Sequence, residues 1–206
     1  GYYEALQAKI WGAGRIELCS SLHEDGLTPD RNTIISVSKA LTIPVKVMIR
    51  PRPGNFIYSQ EEITQMESDI SFCKQQGIKE VVFGCLDKRK RVDLVTVNRL
   101  AKISDPMKIT FHKAIDHTHN IFDEMEKLVK CRGVASVLTS GESKFVLNNK
   151  NLLLKILKHF KGKLNIIIAG GISEKNFDNI HQVFNWNEYH GRKIVGNLNN
   201  ATKSFN

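Results

Sequence analysis

Val45-Lys46-Val47-Met48-Ile49-Arg50, followed by Pro51-Arg52, is the stretch of sequence that decides the fold. Successive side chains of a β-strand point to opposite faces. Val45, Val47 and Ile49 therefore share one face, and the other face carries Lys46, Met48 and Arg50. An inner strand of an open doubly wound sheet is apolar on both faces. A strand with one polar face instead fits a closed barrel, whose apolar face packs on helices and whose polar face looks inward.

Two other segments alternate in the same way. Ile16 and Leu18 oppose a second set made of Arg15, Glu17 and Cys19. Ile109 and Phe111 oppose Thr110 and His112. Three alternating segments favour the barrel over the open sheet.

Seven β-branched runs alternate with segments of helical period, as a βα repeat requires. The predicted strands are Arg15–Cys19, Val45–Arg50, Glu80–Cys85, Lys108–Ala114, Ala135–Ser140, Asn165–Gly171 and Glu188–His190. The predicted helices are Glu4–Trp11, Asp30–Leu41, Ser59–Gln76, Leu94–Ile103, Ile121–Lys130, Asn148–Phe160 and Ser173–Phe184. We predict an α/β protein with a (β/α)8 TIM barrel, whose first strand is absent from this chain, because the chain opens on a helix. No Pro-, Gly- or Ser-rich linker divides residues 1–206, so we expect one domain. The barrel should span about residues 1–195, and residues 196–206 should form a C-terminal tail.

Composition excludes several classes of protein. The chain has 206 residues with 41% hydrophobic and 25% charged residues, which fits one ordinary domain. Its net charge of +9 is spread along the chain without interleaved aromatics, so we expect no nucleic-acid partner. No apolar run is long enough for a membrane span, and the first residues carry no signal-peptide pattern. Four scattered cysteines indicate reduced thiols and a cytoplasmic location.

The active site of such a barrel lies at the carboxyl ends of its strands. Alternation brings Glu17, Cys19, Arg50, His112, Ser140 and His190 to that opening, with Arg52 and Asp116 on the loops above it. Glu17, His112 and His190 are the candidate catalytic acids and bases, and the arginines are suited to a carboxylate or phosphate. The candidate substrate-binding residues are Arg50, Arg52, Asp116, Ser140, Gly170 and Gly171. The alternative is that Glu17 and Arg50 only neutralise each other inside the barrel.

Gly170-Gly171 ahead of Ser173 could present backbone N–H groups to a phosphate, or could be an ordinary strand-to-helix turn. Cys19 is the one cysteine expected to face the opening, where Cu(I) would need a second ligand such as His112 or Met48. Cys85 shares a face with apolar residues and is expected in the core. Cys19 could equally be a structural thiol.

Several motifs resemble the CutC family of copper-homeostasis proteins. They are Gly14–Cys19, Gly26–Pro29, Val47–Arg52, Val81–Gly84, Thr110–Ala114 with Asp116, Leu138–Gly141 and Glu188–His190. The chain departs from the family pattern at Pro53-Gly54-Asn55, at Lys113, at Ala169-Gly170-Gly171 and at Gly191-Arg192-Lys193.

The resemblance implies a TIM barrel, a cytoplasmic location, a link to copper handling with Cu(I) as the suspected ion, and a pocket built from Glu17, Arg50, His112 and His190. Two functions follow from the sequence. The first is a cytoplasmic copper-homeostasis protein that binds copper through Cys19. The second is an enzyme that uses Glu and His acid–base chemistry on a small anionic metabolite. A barrel that lacks a strand would expose two sheet edges, so a homodimer is also expected.

Overall fold

The computed structural model of the chain describes residues 1–198 and has one parallel sheet at its centre. Seven strands follow one another in sequence order. They are β1 (Ile16–Leu18), β2 (Val45–Met48), β3 (Glu80–Phe83), β4 (Lys108–Phe111), β5 (Val134–Thr139), β6 (Asn165–Ala169) and β7 (Tyr189–His190). The predicted α/β architecture with seven parallel strands is confirmed.

One helix precedes the sheet and one follows each strand from β1 to β6. They are α1 (Tyr2–Ile10), α2 (Arg31–Ala40), α3 (Gln60–Gln75), α4 (Leu94–Ser104), α5 (Ile121–Val129), α6 (Lys150–Phe160) and α7 (Phe177–Phe184). Helix α3 begins with the predicted capping box, in which the Ser59 side chain accepts from the Glu62 N–H and the Glu62 carboxylate accepts from the Ser59 N–H. None of the helices within residues 1–198 combines the length and the apolar character that a membrane span needs.

The two faces of the strands have different surroundings. Val47, Ile49, Val81 and Phe83 belong to the large core that the helices cover. Met48 is also buried but lies outside that core. Leu138, Ile167 and Ala169 form a separate small cluster. The sheet is therefore curled around an interior of its own, as the alternation in β2 predicts.

A polar network fills the lower part of this interior. The Lys46 ammonium lies 2.5 Å from a Glu80 carboxylate oxygen and donates to the Thr110 hydroxyl at 2.9 Å. Thr110 in turn donates to the same Glu80 oxygen at 2.6 Å. Burial lowers the pKa of Lys46, and the hydrogen bond to Glu80 opposes that shift. The polar face of β2 thus starts with a buried ion pair.

One predicted boundary is wrong in a way that bears on function. β4 ends at Phe111 and not at Ala114, because residues Lys113–His117 form a 3₁₀ turn. The His112 ring starts this turn by accepting a hydrogen bond from the Ala114 N–H.

Of the predicted tail, residues 199–206 lie outside the described residues, and Gly196 is close to the Trp11 ring.

Candidate functional site

The barrel mouth is the end of the curled sheet at which the strands terminate, and Arg50 lies there, just after β2. The residue is only 5% exposed. Its two terminal nitrogens donate to three backbone carbonyls, those of Glu24 (2.8 Å), Gly26 (3.2 Å) and Gly54 (3.1 Å). Its Nε has no hydrogen-bond partner among the described residues. In residues 1–198 no ion pair joins Arg50 to a carboxylate, so the structure does not pair Arg50 with Glu17 as the alternative interpretation required.

His112 follows β4 and is 4% exposed. Its Nδ1 accepts the Ala114 N–H at 3.2 Å, so the ring proton of neutral His112 is assigned to Nε2. Nε2 has no partner. Burial, followed by the charge of Arg50, lowers the pKa of His112 to about 3. His112 is therefore a neutral hydrogen-bond donor and not a base at neutral pH.

The loop over residues 51–58 adds two aromatic residues that the sequence did not single out. The Phe56 ring centroid lies 4.9 Å from that of His112 and 5.1 Å from Arg50 Cζ. The Tyr58 hydroxyl is buried and makes no hydrogen bond to any residue from 1 to 198. Burial raises the pKa of Tyr58 well above its ordinary value, so the phenol stays protonated. The only sequence signal for Tyr58 was its place directly before the capping box at Ser59.

Arg52 holds this loop together. Its guanidinium lies 2.5 Å from a Glu62 carboxylate oxygen and donates to the Ile57 carbonyl at 2.7 Å. It also donates to the Asn55 side chain and stands over the Tyr58 ring, with Cζ 5.3 Å from the centroid. The substrate contact of Arg52 stays a prediction. Its hydrogen bonds within the loop indicate that Arg52 holds the loop over residues 51–58 in position.

Glu17 on β1 and His190 on β7 form the second pair of candidate residues. Glu17 Oε2 lies 3.9 Å from His190 Nδ1. The Glu17 side chain is 10% exposed and that of His190 is 34% exposed. The structure thus brings two of the three candidate catalytic residues within 3.9 Å of each other, which is longer than a hydrogen bond.

Cys19 lies next to these residues, just beyond β1. A Cβ placed on Gly26 would be 3.3 Å from the Cys19 sulfur and 3.9 Å from Met48 Cε, so both sulfur-containing side chains flank this glycine. Burial, together with the Glu17 charge, raises the pKa of Cys19 to about 12. No cluster of three His, Cys, Asp or Glu side chains suited to a metal ion occurs within residues 1–198. His112 could bind a metal through Nε2 only if the ring proton moved to Nδ1, where the hydrogen bond from the Ala114 N–H would be lost.

Asp116 and Ser140, two predicted substrate-binding residues, are brought together but bind each other. One carboxylate oxygen of Asp116 accepts from the Ser140 N–H (2.9 Å) and hydroxyl (2.8 Å). The other oxygen accepts from the Thr139 hydroxyl and from the Glu142 N–H. Their hydrogen bonds stabilise the loop that follows β5.

Gly170 and Gly171 occupy crowded positions with positive φ angles of 123° and 69°. A Cβ at Gly171 would come within 2.5 Å of the Phe145 ring, and one at Gly170 within 2.9 Å of Ser140 Cβ. The Gly170 carbonyl accepts a hydrogen bond from the Val146 N–H. Their need for glycine is explained by packing, without a phosphate.

A third glycine makes room for the site. A Cβ at Gly84, at the end of β3, would lie 2.6 Å from His112 Nδ1. A continuous series of neighbouring residues therefore lines the barrel mouth. On one side it runs from Gly84 through His112, Phe56 and Arg50 to Gly26. From Gly26 it continues through Cys19 to Glu17 and His190.

Solved structures with low sequence identity define the class of fold. N-acetylneuraminate lyase from Mycoplasma synoviae superposes with a TM-score of 0.65 over 98% of this chain and 65% of its own, at 8% identity. An aldolase, QR15, gives a TM-score of 0.63 over 97% of this chain and 86% of its own, at 11% identity. At these identities the likeness shows the fold alone, which is that of the TIM-barrel proteins.

The family is shown by closer relatives. The CutC family model matches residues 2–195. The copper homeostasis protein cutC homolog of Mus musculus is 37% identical over 90% of this chain and 68% of its own length. The putative copper homeostasis protein CutC from Streptococcus agalactiae superposes with a TM-score of 0.84 over 88% of this chain and 89% of its own, at 28% identity. The chain belongs to the CutC family.

Proposed function

We propose that the barrel mouth binds a small organic anion and transfers a proton to or from it. The observation that carries this proposal is the buried guanidinium of Arg50, which has no carboxylate partner within residues 1–198 and whose Nε is unpaired there. A buried charge is normally paired, because removal from water costs several kcal/mol. Backbone carbonyls offset part of this cost at Arg50, and an oxyanion would supply the missing opposite charge.

The neighbouring residues divide into donors and proton carriers. His112, held neutral, donates from Nε2 to a substrate oxygen and so polarises it, as Arg50 does from Nε. Glu17 and His190 are the pair that exchanges the proton, because a carboxylate and an imidazole are side chains that act as general acids and bases. The small distance between them keeps both groups on one side of the site.

Thermal unfolding in the presence of a panel of small carboxylates and phosphates tests this proposal. A ligand at about 100 times its Kd stabilises the folded protein by about 2.7 kcal/mol. We expect stabilisation of the wild type and of Arg91→Gln, a control arginine paired with Asp87 on the surface. Arg50→Lys and His112→Gln should lose it. Equal stabilisation of all four proteins, or none in any, would refute the proposal.

Copper binding is a second candidate function, favoured by family membership and by the placement of Cys19 and Met48 beside Gly26. A thiolate and a thioether are ligands that suit Cu(I). Because the pKa of Cys19 is raised to about 12, copper must displace the thiol proton, and its affinity should increase with pH. In this proposal the protein acts in the cytoplasm, where its four free cysteines stay reduced.

Competition with a Cu(I) chelator tests the second candidate. We expect Cys19→Ser to weaken Cu(I) binding at least tenfold, whereas Cys131→Ser, at a helix end remote from the mouth, should bind as the wild type does. Unchanged affinity in Cys19→Ser would remove this thiol from any copper site.

A further inference from the structure

Three buried side-chain N or O atoms in residues 1–198 have no hydrogen-bond partner, and all three belong to one region. They are Arg50 Nε, His112 Nε2 and the Tyr58 hydroxyl. About nine in ten buried polar groups in proteins are satisfied, so three exceptions in one place point to a common ligand. From these atoms we infer that Tyr58 is the third donor of a carboxylate-binding pocket, with Phe56 as its apolar wall.

Contacts under the loop over residues 51–58 connect the three donors. The Phe56 ring lies against both the guanidinium of Arg50 and the ring of His112. The Tyr58 hydroxyl is close enough to Arg50 that the positive charge of the guanidinium, and a hydrogen bond from it to the ionised phenol, oppose the rise in the pKa of Tyr58. The Leu86 N–H donates to the Phe56 carbonyl at 2.8 Å, which ties the loop to the end of β3. The loop is thus part of the pocket and not a detached flap.

The chemistry of the three atoms selects the ligand. Arg50 Nε–H and His112 Nε2–H can only donate, and the Tyr58 phenol remains protonated and can donate as well. A ligand that satisfies them must offer acceptor oxygens. The inference rests on the proposed function and narrows it to one class of anion.

The net charge of the three donors favours a carboxylate over a phosphate as the ligand. Arg50 carries the one positive charge among the three donors, because His112 and Tyr58 are neutral. A carboxylate balances this charge. A phosphate dianion would leave an uncompensated negative charge in a buried site, which is costly.

Titration with four small molecules tests the inference. Pyruvate and acetate are the carboxylate probes, inorganic phosphate at pH 8 is the dianion, and acetamide is the neutral probe. Binding is followed by two-dimensional NMR of wild type, Arg50→Lys, Tyr58→Phe and the control Tyr3→Phe, which removes a hydroxyl from an exposed tyrosine. We expect a carboxylate to bind the wild type and Tyr3→Phe equally, and Tyr58→Phe about tenfold more weakly, as for one lost hydrogen bond. Thermal unfolding without ligand should be unchanged in Tyr58→Phe, which separates a binding role from a structural one.

The failures of the two proposals differ. Carboxylate binding that requires Arg50 but is unchanged in Tyr58→Phe would overturn the role of Tyr58 and leave the proposed function in place. Phosphate or acetamide binding as tightly as a carboxylate would overturn the choice of anion. Failure of every probe to bind the wild type would refute the proposed function itself, and this inference with it.

Discussion

Glu17 and His190 meet across the two free edges of the sheet, with Glu17 Oε2 3.9 Å from His190 Nδ1. Within residues 1–198 their strands, β1 and β7, share no backbone ladder, since each pairs on one side only. Two residues further back along both strands, Arg15 and Glu188 form a second ion pair across the same gap. We call this contact between the edges the seam. It closes the curled sheet through side chains and places Glu17 and His190, the candidate acid–base residues, at its upper end.

Charge reversal tests the seam. Arg15→Glu should lower the free energy of unfolding by about 1 kcal/mol, because partly exposed ion pairs contribute up to that amount. The double variant Arg15→Glu/Glu188→Arg should recover at least half of the loss in urea unfolding. Arg132→Glu, beside Asp105 in a well-exposed pair, serves as control and should change stability by a few tenths of a kcal/mol at most. A double variant no more stable than the single one would contradict contact between the edges.

His112 should make the protein sensitive to acid. Its pKa is lowered from 6.5 to about 3 in the folded state, so between these values the unfolded chain binds a proton that the folded chain excludes. Stability is then complete above about pH 6.5 and declines as the pH falls toward 3, by roughly 3 kcal/mol at pH 4. Urea unfolding of the wild type and of His112→Gln between pH 4 and 8 should show a shallower decline in the variant. His23→Gln controls for loss of an exposed histidine. Identical slopes in all three proteins would exclude a buried neutral His112.

Gly84 should be required for the position of His112. The Cβ of Gly84→Ala would come within 2.6 Å of Nδ1 and 3.0 Å of Ala114 Cβ, so the ring or the strand must move. We expect a loss of about 1 to 3 kcal/mol in unfolding free energy, as for other overpacked sites.

The matched control is Gly14→Ala, because a Cβ there meets nothing within 4 Å and neither glycine has a positive φ angle. NMR of the imidazole nitrogens should show that His112 loses its Nε2–H tautomer in Gly84→Ala only. Similar effects of both substitutions would contradict the proposed crowding.

The effects of substituting Lys46 and Glu80 on the free energy of unfolding should be strongly coupled. Lys46→Met leaves the Glu80 carboxylate in the barrel interior without its cation, at a cost of roughly 3 kcal/mol. Lys46→Met/Glu80→Gln removes both charges, keeps an acceptor for Thr110, and should be more stable than the sum of the two single variants predicts. Denaturant unfolding of the four proteins measures the coupling. Additive losses would show that the ion pair contributes nothing beyond packing.

The orientation of the strand residues could be predicted from sequence because it depends on local geometry. The period of two in β2 placed Arg50 and Lys46 on the inner face and Val47 on the helix side. The capping box at Ser59 was equally predictable, since its partners lie three residues apart.

Partners that are distant in sequence could not be predicted in this way. The sequence left open whether Glu17 pairs with Arg50, and the structure pairs it with His190, 173 residues away, because the sheet curls until its edges meet. Tyr58 gave no pattern, since it lies in a loop whose path depends on the hydrogen bonds of Arg52.

The sequence by itself determined the βα repeat, the inner and outer faces of the strands and the family of the protein, because these depend on periodicity and on motifs of a few residues. Only the tertiary structure decided which buried polar groups lack a partner. Arg50, His112 and Tyr58 come from two strand ends and a loop, and whether each donor is satisfied depends on the packing of segments that the chain brings together only when it is folded.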